Sequence, residues 1–115
     1  MLFVYYPKCS TCQKAKAFLE NHGIDFTPRD IKIDNPTYEE LQAWYAQSGL
    51  SLRRFFNTSG LQYRALALKD KLPQMSDEEQ LRLLATDGML VKRPLIVRDD
   101  LVLVGFRPKE WDEKL

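Results

Sequence analysis

Two cysteines occur in the 115-residue chain, three positions apart, in Cys9-Ser10-Thr11-Cys12. A thiol attacks as thiolate, and an unperturbed cysteine keeps its proton up to a pKa of about 8.5. Chemistry at neutral pH therefore needs a position that lowers that value. A helix start is such a position, because its first N–H groups lack partners inside the helix and its dipole favours negative charge. With a helix opening at Ser10, the N–H groups of Ser10, Thr11 and Cys12 point towards the Cys9 sulfur, and Lys8 and Lys14 add positive charge nearby. Cys12 lies one turn along, within reach of that sulfur. Cys9 is thus the natural attacking thiol, and Cys12 the buried resolving thiol that closes an intramolecular disulfide. Three other readings stay open: a pair of small core residues, part of a zinc site, or a motif whose chemistry has been lost. Zinc needs two further ligands, and the chain offers His22 and carboxylates but no second CxxC, so no metal is expected.

The elements that must position these thiols follow from hydrophobic spacing. Residues 2–6 are an apolar run ended by Pro7, which reads as a buried strand. A helix is expected from about Ser10 to His22, with Cys12, Ala15 and Phe18 or Leu19 at helical spacing and Gly23 as a left-handed cap. His22, at the helix end and too far along to serve Cys9 as a base, is read as structural. Ile24 to Ile33 reads as a second strand with Phe26, Ile31 and Ile33 as its apolar members. Thr37 and Glu40 have capping-box spacing and open a helix to about Ser48, with Leu41, Trp44 and Tyr45 inward and Gly49 as the stop.

Residues 50–88 read as short helices. Leu52, Phe55 and Phe56 form one cluster, and Asn57-Thr58-Ser59-Gly60 a break. Leu61, Tyr63, Leu66 and Leu68 form a second piece. Ser76-Asp77-Glu78-Glu79 opens a helix closed by Asp87-Gly88. Leu95-Ile96-Val97 and Leu101-Val102-Leu103-Val104 make a hairpin around Asp99-Asp100, and Pro108 to Leu115 is a terminal helix anchored by Trp111. Trp44, Trp111 and the phenylalanines read as core. Strand–helix–strand suggests a right-handed parallel crossover, and the closing hairpin and helix complete a thioredoxin-like order. The expectation is one α/β domain over residues 1–115, with a helical insertion over about residues 37–90 between the two halves of the sheet. In that order, Arg93-Pro94 falls where thioredoxin-like folds place a cis proline beside the reactive cysteine. The alternative is a trans proline at a strand's first position.

Composition fits this reading. Apolar residues make up 44% and charged residues 29%, and 17 basic against 16 acidic residues leave a net charge of +1. That balance gives no electrostatic case for nucleic acid or an anionic membrane as main partner. No stretch approaches the ~20 apolar residues of a membrane span. The apolar start lacks the basic region and cleavage site of a signal peptide. A cytoplasmic protein is expected, and in a reducing compartment a close cysteine pair points to redox chemistry or metal.

Three segments carry a resemblance. Tyr6-Pro7-Lys8-Cys9-Ser10-Thr11-Cys12, Lys92-Arg93-Pro94-Leu95-Ile96-Val97 and Val104-Gly105-Phe106-Arg107-Pro108 resemble the ArsC/Spx family of glutaredoxin-linked arsenate reductases and Spx redox regulators. Phe55-Phe56-Asn57-Thr58-Ser59-Gly60 through Leu68-Lys69-Asp70-Lys71-Leu72, then Asp87-Gly88-Met89-Leu90, look most like the YusI/YffB-type branch. The resemblance implies a thioredoxin-like core with a helical insertion and a nucleophile at Cys9. Of the three oxyanion-binding arginines in such reductases, two fall on Arg93 and Arg107. The third position falls on Asn57, and Arg53 and Arg54, one turn earlier, are the candidates to substitute for it. Cys12 matches the CxxC of Spx. With Ser10 and Thr11 at the helix start, these residues make the expected anion site. The implied activity is reduction of a disulfide, mixed disulfide or small oxyanion by Cys9. The electron donor would be glutathione, glutaredoxin or thioredoxin, and no cofactor is bound. The two alternatives are a true arsenate reductase and a redox-switched regulator that binds the RNA polymerase alpha subunit.

Overall fold

A computed structural model describes residues 1–115. Its first strand, β1 (Leu2–Tyr5), carries Phe3 and Val4, both fully buried, so β1 is covered on both faces. It is an interior strand of a four-stranded sheet. β2 (Thr27–Asp30) pairs with it in parallel, with Val4 opposite Arg29, and β3 (Leu95–Arg98) pairs antiparallel, with Phe3 opposite Ile96. β4 (Leu101–Val104) closes the sheet against β3, giving the order β2-β1-β3-β4.

Because side chains alternate along a strand, the sheet feeds two separate cores. Phe3, Ile96 and Leu103 pack with Ala15 and Leu19 of α1 (Ser10–Asn21) and with Trp111 of α6 (Pro108–Lys114). Val4, Leu95, Val102 and Val104 face the other way, onto the helices that lie between β2 and β3. This is the thioredoxin-like α/β arrangement expected from the order of elements. No helix is long and apolar enough to cross a membrane.

The helical layer starts with α2 (Tyr38–Ser48), whose Thr37–Glu40 capping box is present and whose end is turned by Gly49 at φ 69°. Arg29 ties this helix to the sheet. Its guanidinium donates to both Glu40 carboxylate oxygens at 2.6 and 2.8 Å and to the Asp34 and Asn35 carbonyls, and it lies 5.9 Å over the Trp44 ring. A 3-10 turn (Leu52–Phe55), α3 (Leu61–Ala65), α4 (Leu68–Lys71) and α5 (Asp77–Leu84) follow, with 3-10 turns at Leu72–Gln74 and Gly88–Leu90.

Several boundaries differ from the sequence expectation. The second strand is four residues long rather than spanning Ile24 to Ile33. The Asp30 carboxylate accepts the N–H groups of Lys32 and Ile33 and bends the chain there. Ile31 is fully buried but Ile33 is 84% exposed, so Ile33 is not a core member. The expected single piece from Leu61 to Leu68 is broken at Ala67, which takes φ 53°. Tyr63 and Leu68 are buried while Leu61 and Leu66 are exposed. Asp87 does not end α5, which stops at Leu84. It caps the next turn instead, its carboxylate accepting the Met89 N–H at 2.9 Å.

Two contacts tie the segments between β2 and β3 together beside the expected site. Phe56 and Val91 form an isolated antiparallel bridge, flanked by bonds from Asn57 N–H to Leu90 and from Lys92 N–H to Phe55. Gly88 lies so close to the Ile31 carbonyl that a Cβ there would overlap it.

Candidate functional site

Cys9 is the N-cap of α1, in extended backbone conformation, with its N–H bonded to Tyr6 and its carbonyl accepting the Gln13 N–H. The Gln13 side chain also donates to Pro7, which braces the loop before the thiol. The Cys9 side chain makes no closed capping hydrogen bond, yet the helix start still acts on it. Partial burial pushes its pKa up. The Cys12 N–H and thiol, the Thr11 N–H and Arg93 more than offset this, and the net shift is downward. The thiolate is therefore the favoured form relative to a free cysteine. Among side-chain charges it is Arg93 that acts on this thiol, rather than Lys8 and Lys14 as the sequence suggested.

Cys12 is the opposite case. It is fully buried, its sulfur meets the Tyr6 N–H at 3.5 Å, and burial pushes its pKa up to about 12. One turn of helix thus separates a thiol disposed to ionise from one that keeps its proton. Both are free thiols. Cys12 alone would pass for a core residue, whereas Cys9 opens onto a cavity.

The Arg93–Pro94 peptide is cis, at the start of β3. Arg93 donates to the Met89 carbonyl at 3.3 Å, and its guanidinium lies 5.4 Å from the Tyr6 ring centre, so the cation is held from both sides. The Pro94 carbonyl accepts the N–H of Gly105, which ends β4 at φ 80°, where a residue with a Cβ is strained. The Gly105 carbonyl in turn accepts the buried Trp111 indole N–H at 3.1 Å. This pinned turn delivers Phe106, stacked edge-on against Trp111, and then Arg107 at the N-cap of α6.

These residues meet in one cavity of about 940 Å³. Cys9, Thr11, Asn57, Arg93 and Arg107 all line it, as the sequence expected. Ser10 does not. It is the exposed first residue of α1, rotated a helical step away from Cys9. Asn57 is half-buried, with its carbonyl oxygen Oδ1 accepting the Ser59 hydroxyl at 3.4 Å. Arg53 and Arg54 also reach the cavity from their 3-10 turn, together with Lys32 and Lys92. Sequence reasoning had no signal for Lys32, which depends on the early bend after β2. Lys92 stood beside Arg93 in a motif already singled out. No group of three or more His, Cys, Asp or Glu side chains comes together anywhere in the chain as a metal cluster.

Comparison with known proteins follows the same lines. A profile of the ArsC family matches residues 4–114. YusI of Bacillus subtilis is 52% identical over 113 residues, covering 98% of this chain and 96% of its own. The crystal structure of an ArsC family related protein from Bacteroides fragilis superposes with a TM-score of 0.95 at 58% identity, over 97% of this chain and 94% of that one. An arsenate reductase from Vibrio cholerae superposes with a TM-score of 0.85 at 32% identity, over 100% and 98%.

Proposed function

The chain belongs to the ArsC family, and from that premise we propose that it is a thiol-dependent oxidoreductase whose nucleophile is Cys9. The observation that carries this reading is the opposition of the two thiols: Cys9 is held below its ordinary pKa at the floor of a cationic cavity, while buried Cys12 is held near 12. The Cys9 thiolate attacks one sulfur of a substrate disulfide. The substrate S–S bond breaks, a Cys9 mixed disulfide forms, and the departing thiolate takes a proton from water. Cys12 then gives up its proton and attacks the Cys9 sulfur, releasing the second substrate thiol. The substrate gains two electrons and the protein is left with a Cys9–Cys12 disulfide. Glutathione, glutaredoxin or thioredoxin restores the dithiol, which suits the reducing cytoplasm.

Arsenate is the weaker substrate on this reading. It is a dianion near neutral pH, and arginine clamps such anions through a charged planar fork. Asn57 stands where the family resemblance calls for a third arginine and contributes hydrogen bonds without charge. Disulfides need no such charge at the attacked sulfur.

The experiment is a titration of Cys9 thiolate absorbance in the reduced protein, followed by glutathione- and thioredoxin-coupled turnover with disulfide and arsenate substrates. The expected result is a Cys9 pKa below that of free cysteine and disulfide turnover exceeding arsenate turnover. An ordinary Cys9 pKa with no turnover of either substrate would refute the proposal.

A further inference from the structure

The cavity is far more basic than the chain. It is lined by six cations, Lys32, Arg53, Arg54, Lys92, Arg93 and Arg107, and by one acid, Asp87, whose carboxylate is engaged with the Met89 N–H. That is six of 17 basic and one of 16 acidic residues, leaving 11 basic against 15 acidic residues elsewhere. A nearly neutral chain thus gathers a net excess of positive charge on one concavity and is net acidic over the rest. None of the six cations makes an ion pair. Every salt bridge in the protein is made by His22, Arg29, Arg82 or Arg98, all outside the cavity. Like charges converging without counter-charges repel one another, and an anionic ligand relieves that repulsion.

Size then selects the kind of anion. A single tetrahedral oxyanion occupies only a few times the ~30 Å³ share of a water molecule. A cavity of about 940 Å³ is at the top of the range for small-molecule sites. Arg53 and Arg54 stand on the helical wall, on a turn fixed by buried Leu52 and Phe55. Cys9 and Arg93 stand on the sheet side. A ligand that meets both groups must be extended and carry more than one negative charge.

We propose that Arg53 and Arg54 form a second anion subsite that selects peptide-sized disulfides bearing carboxylates on both sides of the reacting sulfur. Arg93 and Arg107 take one carboxylate beside Cys9, and Arg53 and Arg54 take the other. This rests on the oxidoreductase reading above and adds the substrate class to it. Such a disulfide comes either from a small free acidic thiol or from an exposed acidic segment of a protein.

The test uses capped tripeptides with cysteine between two aspartates or two asparagines, each as its 2-thiopyridyl disulfide. Cys9 attacks the peptide sulfur and pyridine-2-thione leaves, read by absorbance in a single turnover of the reduced full-length protein. Two exposed arginine–carboxylate pairs give the acidic peptide an advantage of about two- to thirtyfold. That advantage falls with added salt. The double variant R53Q/R54Q keeps the side-chain bulk and slows the acidic peptide more than the neutral one, so the advantage shrinks. Equal rates for the two peptides, or an advantage that R53Q/R54Q leaves undiminished, would overturn the proposal. Reaction of the neutral peptide at the same time would leave Cys9 chemistry standing. Binding of a fluorescent acidic peptide to Cys9→Ser, with and without R53Q/R54Q, tests the subsite apart from chemistry; affinity that does not depend on the two arginines also overturns it. A third arm places the acidic sequence inside a twenty-residue unstructured peptide. A retained advantage there supports the subsite with a protein segment as source, and an advantage confined to the tripeptide supports it with a small thiol as source.

Discussion

Substituting Gly88 by alanine should unsettle both the fold and the reactive thiol, for one geometric reason. A Cβ at this position would stand 1.7 Å from the Ile31 carbonyl oxygen and 2.7 Å from its carbon. Ordinary Cβ contacts are essentially never under 3.0 Å, so the two segments must separate by more than 1 Å. The obstacle is backbone rather than the tip of a flexible side chain, which places the cost towards the upper end of the ~1–3 kcal/mol typical of overpacking. For a domain of this size that lowers Tm by roughly 8–15 °C. The displaced turn, Gly88–Leu90, also carries the Met89 carbonyl that holds Arg93 and the Leu90 carbonyl that holds Asn57. Cys9 should therefore lose part of the help Arg93 gives its thiolate, and its pKa should rise. Differential scanning calorimetry and thiolate absorbance against pH measure the two effects on one sample. Gly49→Ala is the control. It takes φ 69° but has no atom within 4 Å of its would-be Cβ, so it costs about 1 kcal/mol in backbone strain and leaves Cys9 unchanged. A G88A protein with the parent's Tm and the parent's Cys9 titration would refute the reasoning.

Replacing Arg93 by glutamine removes a cation that favours the Cys9 thiolate, so the Cys9 pKa should rise and alkylation by iodoacetamide at pH 7 should slow. Glu40→Gln tests the clamp between β2 and α2. Arg29 hydrogen-bonds the Glu40 carboxylate and holds its pKa at about 2, below the 4.5 of a free side chain. Because the folded-state value is depressed, this stabilisation is present above pH 4.5 and disappears as pH falls towards 2. With the pair partly open to solvent, E40Q should cost about 1 kcal/mol at neutral pH, and the Tm difference from the parent should shrink on acidification. Asn57→Arg adds the charge that an oxyanion lacks in this cavity, so the KM for arsenate should drop several-fold while turnover of a neutral disulfide holds; an unchanged KM would remove Asn57 from the anion site.

The parts of this molecule readable from its sequence are those that physics writes locally. The Cys9 helix start, the Thr37–Glu40 capping box, the Ser76 helix start and the hairpin around Asp99-Asp100 depend on neighbours a few residues away, and all four stand where expected. Placing Pro94 in the site took the whole thioredoxin-like order of elements, and placing Arg107 took a known resemblance, because the contacts that hold them run from Gly105 to Pro94 and from Trp111 to Gly105. The early end of β2 was legible in principle, since Asp30 is a residue that turns a chain. The apolar spacing of Ile31 and Ile33 pointed the other way, and a side-chain hydrogen bond prevailed over period. Convergence of Lys32 on the Cys9 cavity was not legible, and Arg53 and Arg54 came into view only through the resemblance, as neighbours of Asn57. Their convergence depends on the Phe56–Val91 bridge, a pairing of positions 35 residues apart with no local signature.

The alternation that splits the sheet's side chains between two cores also separates the two tryptophans. Trp111 is sealed in the layer with α1, its indole bonded to the turn that leads to Arg107. Trp44 belongs to the opposite layer, beneath the Arg29 guanidinium. The protein therefore carries two internal optical probes, one per layer, with no label attached. Removing either by a phenylalanine substitution leaves an emission signal that reports on a single layer. Ligand capture at Arg107 should register through Trp111, and loosening of the helical layer through Trp44, so that occupancy and unfolding can be followed in separate channels of the same molecule.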